Sequence, residues 1–212
     1  MDNSISAFNQ YAEEYDKWFD HNPFAYESEL LAIKRFFPRR GKGLEIGVGT
    51  GKFTLPLGIK VGVEPAKAMA VIARQMGIEV HEAVAENLPF ENGTFDFVLM
   101  VTVLCFLHNP KTAIEEIARV LKPGGSLIIG MIDRESFLGK IYESKKAKSL
   151  FYQDAQFYSV PEVIDMLKRT GFIHIKTCQT IFKNPNEITE PEPVEDGFGK
   201  GGFSVLSSEK AP

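Results

Sequence analysis

The chain offers little sulfur chemistry. Only two of its 212 residues are cysteine, Cys105 and Cys178, and they lie far apart in apolar runs. They form no CxxC pair, so neither a zinc site nor a disulfide framework is indicated, and no bound metal is expected. Two lone thiols agree with a reducing compartment. No stretch approaches the ~18 consecutive apolar residues of a membrane span, so no membrane insertion is expected. The opening MDNSISAFNQYAEEYDKWF is polar and acidic. It lacks the basic start and apolar stretch of a secretory leader, which makes a cytoplasmic protein the expectation. Positive charge is scarce as well. The net charge is -4, whereas a duplex binder carries a basic footprint, so no nucleic-acid partner is expected. Lys140, Lys145, Lys146 and Lys148 are a local exception and read as a solvated helix face.

What is present is an ordinary globular composition, 44% hydrophobic and 25% charged, in a chain long enough to bury a core without staples. Residues 1–212 read as one domain. Ala7, Phe8, Tyr11, Ala12, Tyr15, Trp18 and Phe19 recur at three and four, a helical stripe. A second helix runs from Phe24 towards Pro38, and strands and helices then alternate. Strands are expected at 43–46, 61–64, 78–82, 95–103 and 126–132. Helices fall between the second and third (66–76, ending at Gly77) and between the fourth and fifth (112–121). Residues 134–158 mix Phe137, Tyr142, Phe151, Tyr152, Phe157 and Tyr158 with lysines and serines, and read as a helical or irregular insertion. Ser159 with Glu162 forms a capping box ahead of a last helix. Residues 172–182 and 203–208 can pair as an antiparallel hairpin across a polar loop, 184–202.

Alternation of this kind predicts an α/β fold. Its sheet has seven strands, mostly parallel, with the last strands antiparallel and helices on both faces. In such doubly wound sheets ligands lie beyond the carboxyl ends of the strands, near the switch point. The motifs cluster there. Glu45-Ile46-Gly47-Val48-Gly49-Thr50-Gly51 follows the first strand; its glycines let the backbone turn tightly and let a ligand approach the main chain. The dinucleotide fingerprint GxGxxG is not met, because position 52 is lysine. Glu64 ends the second strand, where a carboxylate can accept from both ribose hydroxyls; the alternative is an exposed strand-end acid.

These residues resemble the class I, Rossmann-like S-adenosylmethionine-dependent methyltransferases, especially the small-molecule branch that includes ubiquinone and menaquinone biosynthesis. The resemblance runs from Tyr11 to about Ile132. Four blocks carry it: Glu45–Gly51; VGVEP at 61–65; AENLPF at 85–90 with GTFD at 93–96; and VLKPGG at 120–125. It implies S-adenosyl-L-methionine as cofactor and S-adenosyl-L-homocysteine as product, with a small-molecule methyl acceptor. It further implies that Glu45, Gly47, Gly49 and Gly51 hold the methionine portion. Glu64, with Pro65 beside it, takes the ribose. Ala85 and Glu86 meet the adenine, and Val101 and Thr102 reach the amino group. Tyr11 and Tyr15 match aromatic positions that close over the cofactor, although helix packing alone also explains them. Two features depart from the pattern. Only Lys52 to Lys60 separate Gly51 from the second strand, so the first helix should be short or distorted. Val84 stands where many relatives carry an aspartate, and valine cannot accept a hydrogen bond.

On this reading residues 1–38 form a helical lid, 39–133 the cofactor half, 134–158 a substrate cap, and 159–212 the closing helix and hairpin. The reaction is direct methyl displacement, which needs a base only if the nucleophile arrives protonated. His108, Asp133 and Tyr152 are the candidates to act on the acceptor. The acids Glu187, Glu190, Glu192, Glu195 and Asp196 would favour cationic amines if their loop lies at the site's mouth. A cofactor-binding subunit that does not itself methylate is the alternative function.

Overall fold

The computed structural model describes residues 3–212. Three helices open the chain: α1 (Asn3–Gln10), α2 (Ala12–His21) and α3 (Pro23–Lys34). Then come β1 (Gly43–Ile46), β2 (Val61–Val63), α4 (Lys67–Gln75), β3 (Glu79–His81), β4 (Phe95–Val101), α5 (Pro110–Val120) and β5 (Leu121–Ile132). The last third holds α6 (Phe137–Lys145), α7 (Val160–Arg169), β6 (Phe172–Thr180), β7 (Glu195–Asp196) and β8 (Phe203–Lys210). The strands form one sheet in the order β3-β2-β1-β4-β5-β8-β6-β7. β1 to β5 run parallel, and β8 returns antiparallel to both β5 and β6.

Sheet and helices are locked by alternation. Along β4, Val98 and Met100 join the cluster containing Ile114, Ile117, Val163 and Leu167 of α5 and α7. Leu99 and Val101 face the opposite cluster, with Ile33 of α3, Phe53 and Phe203. A strand buried on both faces reads as a continuous apolar run, and FDFVLMV is one. Chain order reverses between β1 and β4, so their carboxyl ends open the crevice expected at a switch point.

Several expectations need revision. The opening helical stripe is two helices. Tyr11 leaves helical geometry at φ -124 and ψ 35, and α2 starts after it. The sheet has eight strands, not seven, because Glu195–Asp196 adds a two-residue edge beside Cys178 and Gln179. A pair of residues carries too short a pattern to announce a strand. The 184–202 segment is anchored rather than a free loop. Ile188 and Glu192 are buried; the Glu192 carboxylate accepts from the Phe182 N–H, and its own N–H donates to Ser28 Oγ at 2.8 Å. The first helix, expected to be short or distorted, is absent: residues 51–58 make turns only, because few residues separate Gly51 from β2. The capping box of α7 is complete: Ser159 Oγ accepts from Glu162 N–H, and Glu162 Oε2 accepts from Ser159 N–H at 2.7 Å. Ser159→Ala removes it and should cost about 1 kcal/mol of stability, read by denaturant titration. Cofactor affinity should not change, because α7 packs behind the sheet, away from the crevice.

Candidate cofactor and acceptor site

Glu64 organises the crevice. It sits just beyond β2 and is 7% exposed. Oε2 accepts from Gly49 N–H and Oε1 from Ala66 N–H, both at 2.9 Å. One carboxylate therefore ties the turn after β1 to the start of α4. The turn bends where glycines permit: Gly47, Gly49 and Gly51 have φ of +69, +54 and +96. At Gly47 a side chain is also excluded by space, since a Cβ would stand 2.3 Å from Val103 Cγ2. Gly49 faces Tyr15, whose ring would lie 3.5 Å from a Cβ there. Burial raises the Glu64 carboxyl above its ordinary range, against the two N–H bonds that lower it.

A cleft of about 920 Å³ opens above these residues. Gly47, Gly49, Glu64, Pro65, Ala85, Glu86, Val101 and Thr102 all line it, with His108 at one side. Eight of the residues expected at the cofactor are thus brought together from the ends of β1, β2, β3 and β4. Val84 lines it too, 40% exposed. Glu86 also braces the wall: its Oε1 accepts from His108 N–H at 3.0 Å and Asn109 N–H at 3.2 Å. Thr102 takes φ +52, which few non-glycine residues adopt. Its N–H donates to Gly130 O at 2.8 Å, which holds the strained turn in place.

Three expected residues are not in the wall. Glu45 lies beneath it, 1% exposed, accepting from Thr54 Oγ1 at 2.5 Å. Gly51 packs towards Ile78. Tyr11 sits at the break between α1 and α2, where its carbonyl accepts from Tyr15 N–H at 3.1 Å. Tyr15 does line the cleft, and burial together with the Glu64 carboxylate pushes its hydroxyl well above the ordinary range.

The N-terminal helices complete the cleft with Ile5, Phe8 and Tyr15. They are fastened to its floor. Thr50 Oγ1 donates to Asp16 Oδ1 at 2.5 Å, Lys52 Nζ stands 3.5 Å from Asp16 Oδ2, and the Tyr26 hydroxyl donates to Lys52 O. Ala68 N–H donates to Asn9 Oδ1 at 3.0 Å.

A second cavity of about 1000 Å³ adjoins the first. Phe8, Tyr15, Thr102 and Tyr152 belong to both. Its far walls are Trp18, Phe19 and Asn22 of the N-terminal helices, Glu29 of α3, Phe53, and Tyr142 with Phe151 from residues 134–158. Tyr152 is stacked between Phe106 and Phe157, at centroid distances of 5.5 and 5.6 Å. Glu29 had no sequence signal, since an acid on a helix reads as a solvated one. Of the other candidates, Asp133 lines neither cavity; its Oδ1 accepts from Glu135 N–H at 3.1 Å in the turn into α6. Tyr158 packs on the β4–β5 face with Val160. None of the tail acids lines either cavity, and Asp196 pairs with Arg35 at 2.6 Å on the surface. The mouth placement proposed for them is therefore wrong; the segment folds back against α3 and β6. Among the described residues no group of three or more His, Cys, Asp or Glu is placed to hold a metal ion.

A switch-point crevice floored by a glycine turn and a strand-end carboxylate defines a nucleoside-binding α/β enzyme. Residues 44–129 match the family model described as a methyltransferase domain. An S-adenosylmethionine-dependent methyltransferase of Thermotoga maritima, described as a possible histamine N-methyltransferase, superposes with a TM-score of 0.95. It is 49% identical, over 98% of this chain and 99% of its own. An uncharacterised protein of Methanocaldococcus jannaschii is 56% identical over 97% of this chain and 100% of its own. Phosphoethanolamine N-methyltransferase 2 of Haemonchus contortus, solved with S-adenosyl-L-methionine, shares the fold at 17% identity and a TM-score of 0.64, over 88% of this chain and 53% of its own. The chain belongs to the class I S-adenosylmethionine-dependent methyltransferases, and S-adenosyl-L-methionine is its cofactor.

Two measurements probe the site. Glu64→Ala should weaken S-adenosylhomocysteine binding about tenfold or more while the chain stays folded, since bonds to a charged group contribute roughly 1.5–3 kcal/mol each. An unchanged dissociation constant in calorimetry would remove Glu64 from the site. Burial also pushes the Glu45 carboxyl up to about 8. A folded-state value above the unfolded one contributes stability that is full below the unfolded value and is lost as pH rises through the folded one. The ligand-free protein should therefore lose stability between about pH 4.5 and 8, and Glu45→Gln should flatten that slope in denaturant titrations.

Proposed function

We propose that the enzyme transfers the methyl group to a small-molecule acceptor by direct displacement, in the cytoplasm. The carrying observation is the pair of adjoining cavities that share Phe8, Tyr15, Thr102 and Tyr152. One has the glycine turn and Glu64 for the cofactor. The other is aromatic and enclosed by the N-terminal helices and residues 134–158, with space for a compact molecule and not for a folded macromolecule. The free thiols of Cys105 and Cys178 accord with a reducing compartment.

The cofactor residues fit their task. The backbone of Gly47 and Gly49 is bare enough for close approach, Glu64 accepts from hydroxyls, and the Ala85 main chain stands at the adenine side. When bound, the cofactor supplies an electrophilic methyl group on a positively charged sulfur. The protein's own work is alignment and exclusion of water. Orienting nucleophile and electrophile can lower the barrier by several kcal/mol. The rings of Phe8, Phe106 and Phe151 are packed at centroid distances of 5.2 and 5.1 Å from Phe8, forming an apolar wall at the junction. In this reading α1 and α2 act as the lid, α3 stays packed on the sheet, and residues 134–158 form the acceptor cap. His108, on the cofactor side only, is a wall residue in this reading, and Tyr152 orients the acceptor at the junction.

The lid reading has a direct test. Ile5, Phe8 and Tyr15 line one side of the cleft, and in this reading α1 and α2 open to admit the cofactor. Elements that open sit at the low-stability end of a fold. Hydrogen exchange should show residues 6–19 poorly protected in the free enzyme and markedly protected with S-adenosylhomocysteine. Strong protection without ligand would make the helices permanent core. Release of S-adenosylhomocysteine over an acceptor panel tests the transfer itself.

A further inference from the structure

Glu29 is the one acid in the acceptor cavity that is both deeply buried and without a partner. It is 9% exposed and lines the cavity from α3. Its carboxyl has no hydrogen-bond or ion-pair partner among the described residues. Its surroundings are mostly rings: Trp18, Phe19, Phe53, Tyr142 and Tyr152 share the cavity with it. A buried carboxyl with no partner is costly and is ordinarily removed or paired. Aromatic faces and a carboxylate together make the recurring surface for an organic ammonium ion.

We propose, building on methyl transfer to a small molecule, that the acceptor is an amine that binds as a monocation, its nitrogen held against Glu29 within the ring of aromatic faces. Glu29 then serves two purposes. It selects the charged group, and it takes the proton that blocks the nitrogen lone pair. In the bound pair a single proton is shared between carboxylate and nitrogen. With that proton on Glu29, the amine attacks the methyl carbon. An N–C bond forms, the C–S bond breaks with its electron pair passing to sulfur, and the methylated nitrogen carries the positive charge. The Glu29 proton leaves to solvent and the carboxylate pairs with the new ammonium. Per turnover, one cationic amine and one sulfonium give one methylated cation, one neutral thioether and one proton.

The groups facing Glu29 leave it free for this role. Burial pushes its carboxyl up to about 8, within range of exchange with an amine. Tyr142 is pushed up to about 12 and Tyr15 and Tyr152 higher still, so these hydroxyls stay neutral. Tyr26, behind α2, is likewise pushed up to about 12. Glu14, Lys17 and His21 of α2 complete the charged and titratable lining.

The test uses the full chain saturated with S-adenosylhomocysteine. Binding of butylamine, 2-phenylethylamine and 2-(imidazol-4-yl)ethylamine is compared by calorimetry with that of their alcohol isosteres. At least one amine should bind about tenfold or more tighter than its alcohol, and Glu29→Gln should erase that preference while S-adenosylhomocysteine affinity holds. With S-adenosylmethionine, the preferred amine should yield N-methyl product, and Glu29→Gln should raise the KM for that amine about tenfold or more and flatten the pH dependence of kcat/KM. Amines binding no better than alcohols overturns the proposal in the wild type, whether or not the variant folds. A preference that survives Glu29→Gln also overturns it, as does turnover of phenols or thiols alone, and all three leave methyl transfer standing. Loss of S-adenosylhomocysteine binding in the wild type would instead remove the cofactor site, and the amine with it.

Discussion

The carboxylate of Glu64 is the bond on which the site depends. Gly49 and Ala66 belong to two different connections, the turns between β1 and β2 and the start of α4, and each N–H would lose its partner if Glu64 were absent. Their donation to one side chain pins both connections at the carboxyl edge of the sheet. The cleft exists because these two turns are held apart and level. The cost is a carboxyl group out of water, raised above its ordinary range despite two N–H bonds. In the proposed placement, hydroxyl donors of the cofactor would offset that cost.

Around that point the chain concentrates acids that it does not neutralise. Glu45, Glu64 and Glu29 are all buried, and each is raised mainly by loss of solvent. None has an arginine or lysine partner, although the chain carries 24 basic residues. The exposed pairs are elsewhere, at Arg74–Glu82 and Lys122–Asp96, where solvent screening leaves ion pairs weak. Burial disfavours their charged form, so these carboxyls hold their protons more readily than exposed ones do. The aromatic wall of Phe8, Tyr15, Phe106 and Phe151 deepens the effect by excluding water and lowering the local dielectric.

The N-terminal helices show how a surface element becomes part of a site. α2 turns Phe19 into the core and Asp16 onto the glycine turn. Across the break at Tyr11, Phe8 and Tyr15 still share the face towards the cleft, and Asn9 accepts from the Ala68 N–H at the start of α4. The non-glycine residue Thr102 plays the matching part on the opposite wall, where its left-handed backbone turns the chain out of β4 into the 3-10 turn Leu104–Phe106.

The amino-acid sequence by itself determined the parallel core, the glycine turn and Glu64. Each depends on local pattern: apolar runs for strands buried on two faces, glycines where φ must be positive, a carboxylate one residue past a short strand. It also carried the family blocks, and with them the cofactor. The short spacing from Gly51 to Val61 pointed to a short or distorted helix, and the structure goes further, with turns alone, because too few residues remain for a helix and the strand together. Tertiary structure alone decided the second, aromatic cavity. Glu29 lies on α3, Phe53 in a turn, and Tyr142 and Phe151 more than a hundred residues beyond Glu29, so no sequence spacing links them. Burial made the same kind of decision for Asp133 and the tail acids. A carboxylate's role depends on whether water, a backbone N–H or an open cavity faces it, and only the packing of distant segments sets that.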